Sequence, residues 1–474
     1  MSSATQKKSS GSSPLSPGSP RDVAWPVRFA LVGTASDEVP DRPNGKREEV
    51  DWFRGYFCPI SLVIWTLMMA QVVPIAVTHF NGSLLRVWTD VPTWAGYIPL
   101  LPLPSLRGLG YLFGWSFFQA ILMHFLPGKD YVGPVTPAGH RPVYRNNGIL
   151  AWIVTHGLWL VLGPLTHTVN FGRVYDDFAE IIATNNVFGV PFTIFLIWKG
   201  MNFPSSRDCY VSTSIFFDFF QGVELHPRLF GLSLKQLLNC RISMMGWSIV
   251  FLCFAEAQYD RFGYVSNGMA MTAFLLVTYL LKFFWWETGY FTSIDVAHDR
   301  CGYYIVWGLL TWVPTAYCTF GYFSVEHPAN WNLALTLVVT VVGLVALWVN
   351  WDADHQRQYV RENKGKVNVW GQPAKCIEAR YTASDGSEHK SLLLYSGYWG
   401  LSRHFHYVPE LTMAVIWTLP AGTQCILAWL YFAFLFCLLV DRSNRDEGKC
   451  NAKYGKYWVE YRKLVPYKIL PYVY

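Results

Sequence analysis

The segment FFWWETGYFTSIDVAHDRCGYY sets Glu287, Asp295, His298 and Asp299 between two long apolar runs. An ionisable side chain inside a membrane span costs at least ~2.5–3.5 kcal/mol, so such residues mark functional sites by default. The i, i+3, i+4 spacing of Asp295, His298 and Asp299 predicts one shared helical face. A carboxylate beside an imidazole can hold a proton near neutral pH and deliver it to a substrate. The other reading of the same residues is an ion-pair network that locks two helices together. Glu224 and Arg228, in DFFQGVELHPR, have i, i+4 spacing and predict a helix-end ion pair. Met244 and Met245 are expected to line a core.

A second group is basic and aromatic. Arg357 and Arg361 stand four apart just beyond an apolar run, and Arg403 and His404 follow in WGLSRHFHY. Arg445, Lys453 and Tyr454 come later, interleaved with Trp399, Tyr407 and Tyr461. Guanidinium groups bind phosphate bidentately, and aromatic faces take flat rings. Gathered at one membrane face, this set would fit a nucleotide. Residue by residue it is also what the positive-inside rule produces. Gly108, Gly110 and Gly114 resemble a dinucleotide-binding loop but have the wrong last spacing and no preceding strand. They are assigned to helix packing.

These residues must be held by membrane helices. Of 474 residues, 52% are hydrophobic and only 15% charged, against roughly 25% charged in soluble domains. A single soluble core cannot absorb that much apolar surface, and a disordered chain would be far more polar. Apolar runs of spanning length fall near 57–79, 98–125, 148–170, 183–200, 241–257, 267–288, 302–324 and 332–351, with a further pair in 407–441. The expectation is therefore an all-α integral membrane protein with about ten transmembrane helices. The 407–441 pair is alternatively a re-entrant hairpin.

The polar stretches divide the chain into a disordered N-terminal tail (1–55), eight spans (56–351) and a cytosol-facing half (352–474). Residues 126–147 read as an ordered loop between spans. Around Ser384-Asp385-Gly386 a short cytosolic hairpin is expected. The positive-inside rule puts the basic C-terminal tail in the cytosol, and Asn81-Gly82-Ser83 matches a glycosylation sequon. The ten cysteines lie far apart, with no metal-ligand spacing, so no metal site is expected. No Lys/Arg block is dense enough for a nucleic-acid surface.

Five stretches together resemble one family, the membrane-embedded sterol reductases. They are LPGKDYVGPVTPAGHRPVYRNNG, DFFQGVELHPR, KFFWWETGYFTSIDVAHDRCGYYIVWG, SGYWGLSRHFHYVPEL and DRSNRDEGKCNAKYGKYWVEY. The resemblance covers roughly residues 50–474 and is strongest to plant-type members that reduce the carbon 7–8 bond of 5,7-diene sterols. It implies a ten-helix enzyme of the endoplasmic reticulum that uses NADPH on a sterol drawn from the bilayer, with other enzymes of sterol biosynthesis as neighbours. Glu287-Thr-Gly-Tyr-Phe-Thr-Ser-Ile-Asp295 departs from the pattern of the carbon-14 branch. Carbon-14 reduction and a non-catalytic sterol-binding scaffold are the alternatives.

The resemblance assigns the cofactor to Arg357, Arg361, Leu394, Trp399, His406, Tyr407, Asp446, Cys450, Asn451, Ala452, Lys453, Tyr454 and Tyr461. His406 stands where animal members carry Asn. A carbon–carbon double bond with no electron-withdrawing group resists hydride attack unless one carbon is protonated, so a proton donor is required. Glu287, Asp295, His298, Asp299 and Tyr317 are the candidates for it or its relay.

Overall fold

A computed structural model describes residues 47–91, 93–382 and 388–474. The expected disordered tail therefore falls mostly outside the described residues, as does the Ser384-Asp385-Gly386 turn. From Glu48 the chain is already engaged, since Glu48 bridges Ser212 and pairs with Arg300 at 3.1 Å.

The chain is a helical bundle. Its main helices are α1 (Phe53–Phe80), α2 (Leu106–Phe125), α3 (Gly148–Leu165), α4 (Phe178–Asn202), α5 (Leu234–Phe262), α6 (Asn267–Trp285), α7 (303–326), α8 (Leu333–Glu362), α9 (Tyr407–Thr418), α10 (Ile426–Tyr454) and α11 (Lys456–Leu464). Among the described residues, α1, α3, α4, α5, α6, α8 and α10 are long and apolar enough to cross a membrane. The remaining predicted spans are helical too, but differ for visible reasons. In α2, Arg107, Gln119 and His124 dilute the apolar run, and the Pro-rich 101–105 stretch is not helical. In α7, π-helical turns surround Pro314. Of the 407–441 pair, α9 has only 12 residues, whereas the second member lengthens to Tyr454 and carries the basic tail's first turns.

Local sequence sets the helix ends. Ser105, Ser266 and Asn332 side chains accept the N–H of the third residue onward and begin α2, α6 and α8. Asn81 and Gly263, both at positive φ, end α1 and α5. Of the three glycines in the 108–114 run, Gly108 makes the close approach. A Cβ there would lie 2.1 Å from Thr184 Oγ1 of α4, which is helix packing rather than phosphate binding.

Among the described residues four antiparallel hairpins form, two of them with only two residues per strand (Arg228–Leu229 with Leu232–Ser233, and Asn368–Val369 with Gln372–Pro373). In the 126–147 loop, β1 (Lys129–Val132) pairs antiparallel with β2 (Val143–Asn146). The predicted cytosolic hairpin is β3 (Cys376–Thr382) against β4 (Glu388–Leu394). The core follows the aromatic composition: Trp247, Phe251, Phe254, Trp417 and Tyr431 form its centre, and Met245 is fully buried in a neighbouring cluster. The end of α1 that carries Gly55, the starts of α3 and α5, and the ends of α4, α6, α8 and α10 meet at one side. Contacts there include Ser214 with Gly55, Gly148 with Glu287, Lys235 with Asp299 and Arg442 with Asp295. This is the basic end of the bundle.

Candidate active site at the basic end

Helix α8 continues two turns past its apolar stretch, and this projects Arg357 and Arg361 beyond the bundle. Beside it, Gly397 makes a turn at φ +63, where a Cβ would meet Gln356 Oε1 at 2.1 Å. Only glycine lets the chain approach α8 this closely. The turn is fixed by Tyr398 N–H donating to Gln356 Oε1 at 3.1 Å, and it delivers Trp399 against α8. The indole N–H of Trp399 donates to the Ala353 carbonyl at 2.7 Å, and the Arg357 guanidinium lies over its ring at 4.2 Å. A cation over an indole face is a favourable stack.

The rest of the predicted cofactor set closes around this pair. The His406 ring lies 5.1 Å from that of Trp399 and 4.3 Å from that of Tyr407, and His404 stacks on Tyr407 at 5.1 Å. Tyr461 O–H donates to the Trp399 carbonyl at 3.4 Å. Arg361 interacts electrostatically with Arg357, Tyr454, Cys450 and Tyr461. Cys450 reaches Asp446 at 3.7 Å. Lys453 covers the Tyr381 ring of β3 at 4.2 Å, and Tyr454 O–H meets Ser391 of β4 at 3.4 Å. Leu394 is buried under Trp399, while Asn451 and Ala452 are exposed on the last turn of α10.

The donor set fits a phosphate-bearing cofactor. Arg357 and Arg361 repel one another a turn apart, and an anion between them removes that cost. The imidazoles of His404 and His406 are neutral at pH 7. Burial pushes them down to about 3 and about 4, and for His404 the neighbouring His406 adds to the effect. His406 Nδ1 and Arg442 Nε are buried without a hydrogen-bond partner, as polar atoms awaiting a ligand would be, and His404 Nε2 has Asp446 Oδ2 at 3.7 Å, beyond hydrogen-bond range. Arg403 also leaves its Nε unpartnered, but its terminal nitrogens serve the tail. It ties Val465 and Pro466 carbonyls to Glu447 and so holds the tail in place.

The acidic candidates do not form one unit. Glu287 is fully buried and paired through both oxygens with Arg241, itself fully buried, with the Oε2 contact at 2.9 Å. It also accepts the Gly148 N–H at 3.1 Å, and Arg241 bonds Asn147 Oδ1 at 3.1 Å. This joins α3, α5 and the end of α6, the lock that was the second reading of this cluster. The shared helical face of Asp295, His298 and Asp299 is not formed either, because the helix Ile294–Ala297 ends after one turn and His298 leaves helical geometry. Asp295 pairs with Arg442 of α10, His298 is exposed, and the Asp299 carbonyl accepts from Lys235 at 2.5 Å. Glu224 and Arg228 do not pair. Glu224 takes Lys199 at 2.9 Å, while Arg228 donates to the Val143 carbonyl at 2.9 Å. The 222–227 stretch is a loop, so i, i+4 spacing carries no contact there.

Tyr317 lies deeper, packed on Trp247 (5.1 Å) and Tyr431 (4.6 Å) and in electrostatic reach of Arg442 and Asp295. Arg442 therefore links the two groups, reaching Asp295 and Tyr317 on one side and Tyr407 on the other. Sequence reasoning counted it only as tail charge. It also passed over Lys282, Asn350, Glu410 and Tyr279, which meet just beneath His406. Tyr279 O–H donates to Glu410 at 2.7 Å, and Asn350 Nδ2 reaches Glu410 at 3.1 Å and the His406 carbonyl at 3.0 Å. Lys282 closes the group by donating to Asn350 Oδ1. The signal was present, because Lys282 and Glu410 are charges within predicted spans.

Comparison with known proteins places the chain in a family. Residues 58–474 match the ergosterol biosynthesis ERG4/ERG24 family. A protein of Arabidopsis thaliana named 7-dehydrocholesterol reductase is 40% identical over 424 residues, covering 88% of this chain and 95% of that one. Its namesake in Xenopus laevis is 32% identical, covering 82% of this chain and 83% of that protein. A Delta(14)-sterol reductase of Methylotuvimicrobium alcaliphilum is 30% identical, over 86% and 94%.

Proposed function

The chain belongs to the ERG4/ERG24 ergosterol biosynthesis family, and from that premise we propose that it reduces the carbon 7–8 double bond of 5,7-diene sterols, as a 7-dehydrocholesterol reductase does. The single observation that carries the assignment to a nucleotide-dependent reductase is the arrangement at the basic end. Arg357 stacks on Trp399 and Arg361 stands one turn away, the His406 ring lies against Trp399 and the His404 ring against Tyr407, and His406 Nδ1 and Arg442 Nε are buried without a hydrogen-bond partner. Identity to the named 7-dehydrocholesterol reductases over most of the chain carries the choice of double bond.

The cofactor is NADPH. Arg357, Arg361 and Lys453 would neutralise its phosphates, Asp446 and Tyr454 would hold its ribose, and Trp399, His406 and Tyr407 would pack on its rings. Bound there, the reduced nicotinamide supplies a hydride equivalent. Cys450, Asn451, Ala452, Leu394 and Tyr461 shape the walls. The sterol, nearly insoluble in water, enters laterally between helices, and the protein sits in the endoplasmic reticulum with its basic end in the cytosol. Other enzymes of sterol biosynthesis are its neighbours there.

This chain supplies the proton. Tyr317 stands between the cofactor-side residues and the aromatic centre of the bundle, and the Asp295–Arg442 pair adjoins it. Its O–H breaks as a C–H bond forms at one alkene carbon, and the cationic carbon left behind faces the π faces of Trp247 and Tyr431. Glu287 contributes by holding the helices, while His298 and Asp299 border the site.

The test is to incubate purified protein with 7-dehydrocholesterol and NADPH and follow loss of the diene absorbance. A protein that binds sterol but leaves the diene intact would falsify the assignment. A parallel incubation with a carbon-14 diene separates the two branches.

A further inference from the structure

We propose that Glu410, bridged to Lys282 through Asn350, is a buried proton store that reloads the proton-donating floor of the site by way of the Tyr279 hydroxyl. The inference rests on the reductase reading and deepens it.

Each turnover of the proposed reaction consumes one proton from the protein, so a phenol that donates is left as phenolate and needs a source. The centre of the bundle is packed with Trp247, Trp417 and Tyr431; the indoles donate no proton, and the Tyr431 phenol would need the same reloading as Tyr317. Two carboxyls lie within electrostatic reach of Tyr317, Asp295 and Glu410; Asp295 is tied up by the Arg442 guanidinium, whereas Glu410 is hydrogen-bonded to a phenol. It contacts Tyr279 at 2.7 Å on one oxygen and Asn350 at 3.1 Å on the other. The Tyr279 ring packs on Trp417 at 5.2 Å and on Trp247 at 6.2 Å, the indole that also touches Tyr317.

Every element around Glu410 presents a group suited to this work. From α6 come Lys282 and Tyr279, and from α8 Asn350 and Asp354. Tyr317 of α7 and Tyr431 of α10 lie within its electrostatic reach. Lys282 also interacts with Asp354, which accepts from Arg357 at 3.1 Å and is part-exposed at the basic end. Polar and charged groups thus run from the basic end inward: Asp354, Lys282, Asn350, Glu410, Tyr279.

The steps balance. The Tyr317 O–H bond breaks as its proton forms a C–H bond at one alkene carbon, and a bound reduced nicotinamide would supply the hydride equivalent that the other carbon needs. The phenolate then regains a proton through the Tyr279 O–H, which is itself replenished from the Glu410 carboxyl. The Lys282 ammonium neutralises the carboxylate until water at the basic end protonates it again. A store of this kind is a positioning and supply device, since Glu410 acts through Tyr279 and does not touch sterol.

Glu410→Gln keeps the shape and an acceptor for Tyr279 but cannot hold a proton. Measured beside wild type, it should lose about 100-fold or more in kcat while NADPH affinity changes by less than about threefold. Its kcat–pH profile should lose the limb that wild type shows, and Glu410→Asp should restore part of the rate and that limb. Lys282→Met/Glu410→Gln removes both charges together, so it carries the test if the single variant does not fold. A folded variant with wild-type kcat and profile overturns the proposal, as does a loss of NADPH binding in step with kcat. A wild type inactive on 7-dehydrocholesterol overturns the assigned reaction instead, so the two failures are distinct.

Discussion

Glu287 decides between two physical roles, and its partner Arg241 allows them to be separated. Both side chains are fully buried and face each other with two hydrogen bonds; Gly148 and Gln236 add contacts to Glu287 and Asn147 adds one to Arg241, whose Nε stays unpartnered. Glu287→Leu would leave the Arg241 guanidinium charged, buried and unpaired, at a cost of about 3–5 kcal/mol. Set against a total stability of about 5–15 kcal/mol, that is a large fraction, and it lowers the folding equilibrium by about three decades. Arg241→Met/Glu287→Leu removes both charges and replaces them by apolar volume, which is often neutral or stabilising for a buried pair. The assay is thermal unfolding in detergent together with diene reduction on the folded fraction. The single variant should unfold well below wild type, and the double variant should recover most of the difference and regain activity. A double variant that is stable yet inactive would refute the lock and return Glu287 to the proton path.

Four further outcomes follow from the same geometry. Arg357→Ala removes the cation over Trp399 and a phosphate partner, so NADPH affinity should fall by about 10–100-fold in a fluorescence titration. Arg361→Ala should weaken NADPH to a similar extent, and an unchanged affinity would exclude it from the pocket. Gly397→Ala forces a Cβ onto Gln356 at a positive φ; it should displace Trp399 and lower both stability and cofactor affinity by the same measurements. His226 and His404 are held neutral, both pushed down to about 3 chiefly by burial, and for His226 secondly by the Lys235 charge. The unfolded state binds more protons than the folded one below about pH 6.5, so stability should fall as pH drops from about 6.5 toward 3. Each group adds about 1.4 kcal/mol per pH unit there; His226→Gln should flatten the slope seen in unfolding curves taken across pH 4–7.

Much of the architecture was legible because lipid is a severe solvent. A helix that crosses it must be apolar over its whole length, so runs such as 332–351 declare themselves, and the breaks between them declare the loops. The β3–β4 hairpin was legible from its two extended runs. The basic and aromatic set was legible in part from spacing, since Arg357 and Arg361 stand a helical turn apart, and in full only from the family resemblance.

What the sequence determined alone is therefore composition-borne: a membrane bundle, its spans, and a surface rich in Arg, Lys and aromatics. What the tertiary structure decided is partnership. Glu287 takes Arg241, 46 residues away, and Asp295 takes Arg442, 147 residues away. Glu410 joins α6 and α8 beneath the cofactor pocket. A charge in a span announces that it needs a counterpart, because the unpaired ion is too costly to bury. Which counterpart it finds depends on how distant helices pack and where a helix such as Ile294–Ala297 stops, and i, i+4 spacing contains neither.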